Sequence, residues 1–260
     1  MLDLLIKNGS CYIDKDLKSC DIAINDGKII EIGKINNEAK EIYDASNLTV
    51  LPGCIDTQTH FREPGSTDTE DLHSGSRAAI VGGITSVFEM PNTNPPTSNK
   101  TEFQRKLDLA KNRMYCNYAF YFGATADNAK DLASLKNLVG CCGIKLFAGS
   151  STGNLLVAAE EDIDKVFQNS SKVVAVHSED EEILNTNKKL IKKGDVHSHP
   201  VWRSVECAMS STRRIVRIAE LHNKKAHILH VTTKEEIDFL SQHKGNITFE
   251  ITPQHLTLYA

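Results

Sequence analysis

Four stretches of this chain place reactive or metal-ligating side chains where ordinary structure would place apolar ones. The first is Asp56-Thr-Gln58-Thr-His60-Phe-Arg62. Side chains alternate along a strand, so Asp56, Gln58, His60 and Arg62 share one face. The strand is entered through Leu51-Pro-Gly-Cys-Ile. Four polar residues on its inward face cost solvation unless a ligand or metal satisfies them, and a polar edge strand is the competing reading. The second is Lys145, inside Gly143-Ile-Lys-Leu-Phe. A lysine in an apolar strand is expensive as a cation. It either snorkels to the surface or gives up its proton. A neutral amine can take up CO₂ as a carbamate, an anion whose two oxygens can bridge two cations. The third and fourth are His177, ending Val173-Val-Ala-Val-His, and His230, ending His227-Ile-Leu-His. One histidine at a strand end is more often structural. Two ending successive strands shift the balance toward zinc or a similar transition metal.

His227 stands three residues before His230 and is expected to face the other side. His73, His197, His199, His222 and His243 fall in predicted helices or loops and read as surface or supporting residues. Asn92 and Asn94 lie in Met90-Pro-Asn-Thr-Asn-Pro-Pro96, where the prolines end a strand and stiffen the loop after it. Both also suit an ordinary turn.

These residues need elements to hold them. Residues 1–50 read as a small β-sandwich segment. Asp26-Gly27 between two apolar runs signals a hairpin, and a second strand pair comes from Leu4–Lys7 and Glu41–Tyr43. Over 51–260 short apolar runs alternate with helical patterns. Strands are expected near 52–60, 84–90, 116–122, 143–148, 173–177, 226–231 and 247–252. Helices fit over 100–112, 127–137, 160–168, 204–222 and 233–242. This alternation makes the fold class α/β, with about seven βα units of a (β/α)₈ TIM-type barrel. In such a barrel the chemistry sits at the C-terminal ends of the strands, where His60, Lys145, His177 and His230 fall.

Composition excludes several other classes. The chain has 260 residues, with 30 basic against 34 acidic side chains and a net charge of −4. That balance gives no electrostatic footprint for nucleic acid or an anionic membrane. No apolar run approaches a membrane span, and the N-terminus lacks a secretory pattern. The seven cysteines are an odd number at irregular spacing, which points to free thiols in a reducing, cytoplasmic setting.

Taken together, the motifs resemble the amidohydrolase superfamily and, within it, the dihydroorotase group. The resemblance rests on Pro52-Gly-Cys-Ile-Asp-Thr-Gln-Thr-His-Phe-Arg-Glu-Pro-Gly65, Gly82-Gly-Ile-Thr-Ser-Val, Glu89-Met-Pro-Asn-Thr-Asn-Pro-Pro96, His177-Ser-Glu-Asp, His230-Val-Thr-Thr and Thr252-Pro-Gln-His-Leu. Met-Pro-Asn-Thr favours that group over its allantoinase and hydantoinase relatives. The resemblance implies reversible ring closure of N-carbamoyl-L-aspartate to dihydroorotate and water. It implies one or two Zn²⁺ ions, with His60 on one, His177 and His230 on the other, and carboxylated Lys145 bridging them. Arg62 and Asn94 match positions that hold the substrate carboxylate, and Thr152 matches a mobile loop residue that covers the substrate. The implied partners are a small-molecule substrate and either a second copy of the chain or aspartate transcarbamoylase.

Two departures from the family pattern stand out. Where the family carries His-x-His on its first strand, this chain has Gln58-x-His60, and an amide oxygen is a weaker zinc ligand than imidazole. The family's acid–base aspartate ends an eighth strand, beyond Ala260, so no catalytic acid–base residue is assigned here. The barrel is therefore expected to be incomplete, with two strand edges exposed, and the chain alone to be poorly stable and nearly inactive. A non-catalytic partner of aspartate transcarbamoylase and a related cyclic amidase such as allantoinase are the competing functions.

Overall fold

A computed structural model describes residues 1–151 and 153–258. Thr152 lies outside the described residues. The chain divides into two compact units, Met1–Cys54 and Ile55–Ala260.

The first unit contains β1 (Leu2–Ile13), β2 (Asp16–Asn25), β3 (Lys28–Gly33), β4 (Ala39–Asp44) and β5 (Thr49–Val50). The expected hairpin is β2–β3, antiparallel with Asn25 opposite Lys28. Asp26 (φ 48°) and Gly27 (φ 69°) both take the left-handed conformation that a tight two-residue hairpin turn requires. The expected second pair is β1–β4, parallel, with Leu4 opposite Glu41 and Ile6 opposite Tyr43. In place of a sandwich the described residues form one mixed five-stranded sheet. The reason lies in β1, which is long enough to pair with β2 along one edge and with β4 and then β5 along the other. Because β5 belongs to this sheet, the division falls after Cys54 and not at residue 50.

The second unit is a sheet of seven strands in sequential order: β6 (Cys54–Thr59), β7 (Ile84–Glu89), β8 (Asn117–Gly123), β9 (Cys141–Phe147), β10 (Val174–His177), β11 (Ala226–Ile228) and β12 (Ile247–Phe249). Pairing is parallel from β7 through β12. Each strand overlaps a region expected to be extended; β8 ends one residue past its region and β9 starts two residues before its own. The connections carry α1 (Leu72–Val81), α2 (Lys100–Ala110), α3 (Glu160–Asn169), α4 (Glu181–Asn187), α5 (His199–Trp202), α6 (Val205–Leu221), α7 (Lys234–Leu240) and, after β12, α8 (Pro253–Thr257). The helix expected over 127–137 is a 3₁₀ segment, Ala129–Leu135. Three of the helices between strands went unread: α1, α4 and α5. The start of α1 is set by a capping box in which Asp71 and Ser74 satisfy each other's backbone N–H groups.

Alternation gives the sheet two unlike faces. Phe120, Phe122, Ile144, Leu146, Val174, Val176 and Ile228 point into the main core, with Leu72, Phe103, Val166 and Ile215 contributed by the helices. Met90, Tyr121, Ala175 and Leu229 form a smaller apolar cluster on the opposite face. Lys145 lies between Ile144 and Leu146 and opposite Ala175, so it shares that second face. The sheet curls round it. Thr57 of β6 donates a hydrogen bond to Glu250, one residue past β12, although these strands are at opposite ends of the pairing order. This is the curled parallel sheet of a TIM-type barrel with seven of its strands. Among the described residues no helix is long and apolar enough to cross a membrane.

Phe103 anchors α2 against the sheet, fully buried with ring centroids 6.4 Å from Phe120 and 6.2 Å from Phe122. Phe103→Ala is expected to lower the unfolding free energy by about 3–5 kcal/mol. Urea titration of the full chain checks this; a change below about 1 kcal/mol would contradict the packing.

Candidate metal centre and substrate cleft

The imidazoles of His177 and His230 meet at the mouth of the curled sheet. His177 is the last residue of β10, and its Nδ1 lies 3.0 Å from His230 Nε2. The ring centroids are 4.9 Å apart, edge to face. His230 reaches this position through its backbone: its φ is 41°, a left-handed conformation that costs a β-carbon residue roughly 1–3 kcal/mol. Arg62 (φ 48°) is the other candidate site residue held in that region. Most remaining positive-φ side chains are Asn or Asp in turns, which tolerate it.

The turn at His230 also corrects the reading of His227. Simple alternation put His227 and His230 on opposite sides. His227 instead lines up with the inward network: its Nδ1 is 2.8 Å from Thr248 Oγ1 and its Nε2 3.1 Å from Glu250 Oε2. Strand alternation ceases where the backbone enters the left-handed region, and both histidines face inward.

Behind the imidazole pair, His177 Nε2 lies 2.7 Å from Glu179 Oε2. Arg203 pairs with the same carboxylate and donates through Nη2 to the Ser150 carbonyl at 3.0 Å. An N–H donated from Nε2 to a carboxylate leaves Nδ1 as the bare acceptor facing His230. Gly149 permits this approach, since a β-carbon there would sit 2.7 Å from both the Glu179 Cβ and its carbonyl oxygen.

Lys145 is 1% exposed, and its ammonium end lies 4.4 Å from the centroid of the Phe147 ring. Among the described residues it belongs to no ion pair. Burial drives its pKa well below the ordinary lysine value, and the attraction of Glu250 does not restore it. His60 is lowered to about 4, by burial first and then by the positive charges of Lys145 and Arg62; its ring bonds to the Asn92 side chain. His230 is lowered to about 2 and His177 is lowered too, in both cases chiefly by burial. Burial acts whether or not Lys145 carries charge, so three neutral imidazoles share this end of the sheet with an amine whose charged form burial disfavours.

These donors suit a metal ion. Neutral imidazole is a good zinc ligand. A tetrahedral zinc about 2.0–2.1 Å from each of two nitrogens holds them roughly 3.3 Å apart, close to the observed 3.0 Å. Buried acceptors without a hydrogen-bond partner also sit here: Gln58 Oε1 and Glu250 Oε1. Such atoms cost free energy unless a donor or cation satisfies them. Among the described residues no three His, Cys, Asp or Glu side chains already form a closed metal cluster. Completion of a site around His177 and His230 therefore falls to Lys145, in carboxylated form, or to His60.

A cleft of about 980 Å³ opens over the pair, lined among others by His177, Glu179, Arg203, His230 and His255. His60, Arg62 and Asn94 stand outside that lining, on the loops that follow β6 and β7. These two loops touch: Asn94 N donates to the Pro64 carbonyl at 3.0 Å, and a β-carbon on Gly65 (φ 118°) would strike Asn94 Cβ at 2.7 Å. No direct contact joins the Arg62 and Asn94 side chains among the described residues. Glu179, Arg203 and Glu250 were missed as functional residues. Glu250 was legible, being an acid inside the apolar run Ile247-Thr-Phe-Glu-Ile by the same logic that exposed Lys145. Arg203 carries no such signal.

Comparison with known proteins points the same way. A model described as the amidohydrolase family matches residues 49–256. The dihydroorotase of Methanosarcina mazei is 33% identical over 99% of this chain and 59% of its own length. An allantoinase of Escherichia coli O1:K1 is 31% identical over 98% of this chain and 60% of its own. The structure of L-hydantoinase from Arthrobacter aurescens superposes with a TM-score of 0.91 at 25% identity, covering 99% of this chain and 60% of that one. The chain thus spans about 60% of the length of the relatives it matches.

Glu179→Ala is expected to weaken zinc binding by about 10–100-fold through loss of the His177 orientation. Competition with a chromogenic chelator measures it, and unchanged affinity would contradict the role given to Glu179.

Proposed function

We propose a function from one premise: the chain belongs to the amidohydrolase family. The reading supported best is dihydroorotase, the reversible, zinc-dependent cyclisation of N-carbamoyl-L-aspartate to (S)-dihydroorotate and water, in cytoplasmic pyrimidine biosynthesis. The observation that carries it is the pair of facing imidazole nitrogens of His177 and His230 beside a buried Lys145 whose pKa burial drives well down. The dihydroorotases among the relatives support the choice of substrate.

In this reading His177 and His230 would hold one zinc ion, with Lys145 completing its site. The burial that deprotonates Lys145 leaves a free electron pair on Nζ, which adds to CO₂ and releases one proton as the carbamate forms. His60 and the Gln58 amide oxygen offer a weaker second position. Zinc, when bound, acidifies a water molecule and polarises the scissile ring carbonyl. The residues of this chain do the positioning. Glu179 holds the His177 ring by its Nε2–H, and Arg203 holds Glu179. The Arg62 fork takes the substrate's free carboxylate in a bidentate grip, with the Asn94 amide as a second donor. The assembly proposed is a homodimer or a complex with aspartate transcarbamoylase.

Two other readings have specific support. Allantoinase is favoured by relatives at 31% identity. A non-catalytic partner of the transcarbamoylase is favoured by Gln58, which stands where the family has a histidine.

Turnover of dihydroorotate and of allantoin, measured beside zinc content, separates the three. Dihydroorotase predicts slow but measurable dihydroorotate hydrolysis, no allantoin hydrolysis and about one zinc per chain. It also predicts that Arg62→Met raises the KM for dihydroorotate by about 100-fold, as loss of a charge-assisted bidentate contact would. Allantoin hydrolysis would install the second reading. Folded chain with neither activity nor metal would install the third.

A further inference from the structure

A fully buried ion pair lies outside the metal centre and takes no part in the chemistry just described. Glu89, the last residue of β7, pairs with Lys106 of α2, and their side chains are 1% and 0% exposed. Each partner makes a second bond, and both of these go to strand ends. Lys106 Nζ donates to the Met90 carbonyl at 2.9 Å, which fixes the backbone where β7 becomes the Met90–Asn94 loop. The Glu89 carboxylate accepts from the backbone N–H of Phe61, between His60 and Arg62 at the end of β6. A third tie runs from Met90 N to the Thr59 carbonyl at 2.9 Å. The residues emerging just beyond these ties are His60 and Arg62 on one loop, and Asn92 and Asn94 on the other. Asn92 crosses between the loops to bond the His60 ring.

An ion pair this deep is a poor device for stability alone. Removing two charges from water costs several kcal/mol, and an apolar pair of the same volume is often at least as stable. What an apolar pair cannot do is bond the Met90 carbonyl and the Phe61 amide at the same time. A binding constellation has to be held to within about 0.5 Å, which calls for hydrogen-bonded support of this kind. We infer that Glu89 and Lys106 are positioning residues: together they clamp the ends of β6 and β7 so that His60, Arg62, Asn92 and Asn94 face one ligand. The ligand assignment rests on the dihydroorotase reading; the clamp itself does not.

The test uses the full 260-residue chain and two variants. Glu89→Leu with Lys106→Met replaces the pair by apolar groups. Glu89→Asp keeps the charge but shortens the arm, and serves if the double variant does not fold. Three quantities are measured: melting temperature, dihydroorotate affinity by calorimetry, and the NMR signals of the Asn92 side-chain amide and the His60 ring. The clamp predicts at least a tenfold loss of affinity and displaced Asn92 and His60 signals, with a melting temperature within a few degrees of the parent. Parent-like affinity and unmoved signals in either folded variant would overturn it. If the parent itself does not bind dihydroorotate, the substrate reading fails, and the Asn92 and His60 signals still decide the clamp.

Discussion

Lys145 sits on the inner face of β9 with apolar neighbours on either side in sequence and no carboxylate within ion-pairing distance among the described residues. A charged amine there would leave a cation almost unscreened in a low-dielectric interior, so burial drives its pKa well down and favours the neutral form. Much else at this end of the sheet depends on that. A neutral amine is a nucleophile toward CO₂, whereas an ammonium is not. The same exclusion of water keeps His60, His177 and His230 uncharged, which is the state in which imidazole ligates a metal. The sheet creates the chemistry by burying the residues, and the surrounding polar groups then orient them.

Orientation comes from a layer of charge behind the candidate ligands. Glu179 and Arg203 hold His177 from the rear, and His227 and Thr57 bond Glu250 across the curled sheet, with Thr248 on the other nitrogen of His227. Burial pushes the Glu250 carboxyl up, but the bonds from His227 and Thr57 outweigh it and hold its pKa below the usual value, so it stays ionised near Lys145. Glu89 and Lys106 do the corresponding work at the ends of β6 and β7. Strain is admitted at two places, Arg62 and His230, whose left-handed backbones re-aim side chains that a regular strand would direct elsewhere.

Much of this was legible in the amino-acid sequence. Most strands of the larger unit are short apolar runs, several of them bounded by Gly, Pro or Asn, and that pattern is local. The four ligand candidates were visible because a lysine or a histidine inside such a run contradicts its surroundings. Helices α1, α4 and α5 went unread because their apolar stripes are short and their starts depend on caps such as Asp71 and Asp180. The sandwich expected at the N-terminus became one sheet because pairing along both edges of β1 is a long-range fact. His227 was misassigned for a sharper reason. Alternation predicts facing only while φ stays in the strand region, and nothing in His227-Ile-Leu-His announces that His230 turns to 41°. Arg203 was invisible because its partners, Glu179 and Ser150, are distant in the chain.

The proposed metal centre stands or falls on the state of one amine. Incubating the chain with ¹³C-bicarbonate and zinc and recording its ¹³C NMR spectrum tests this directly. A carbamate carbonyl signal that appears in the parent and is absent from Lys145→Ala is the predicted result. A parent without that signal, whose Lys145 titrates near the ordinary lysine value of about 10.4, would contradict the account.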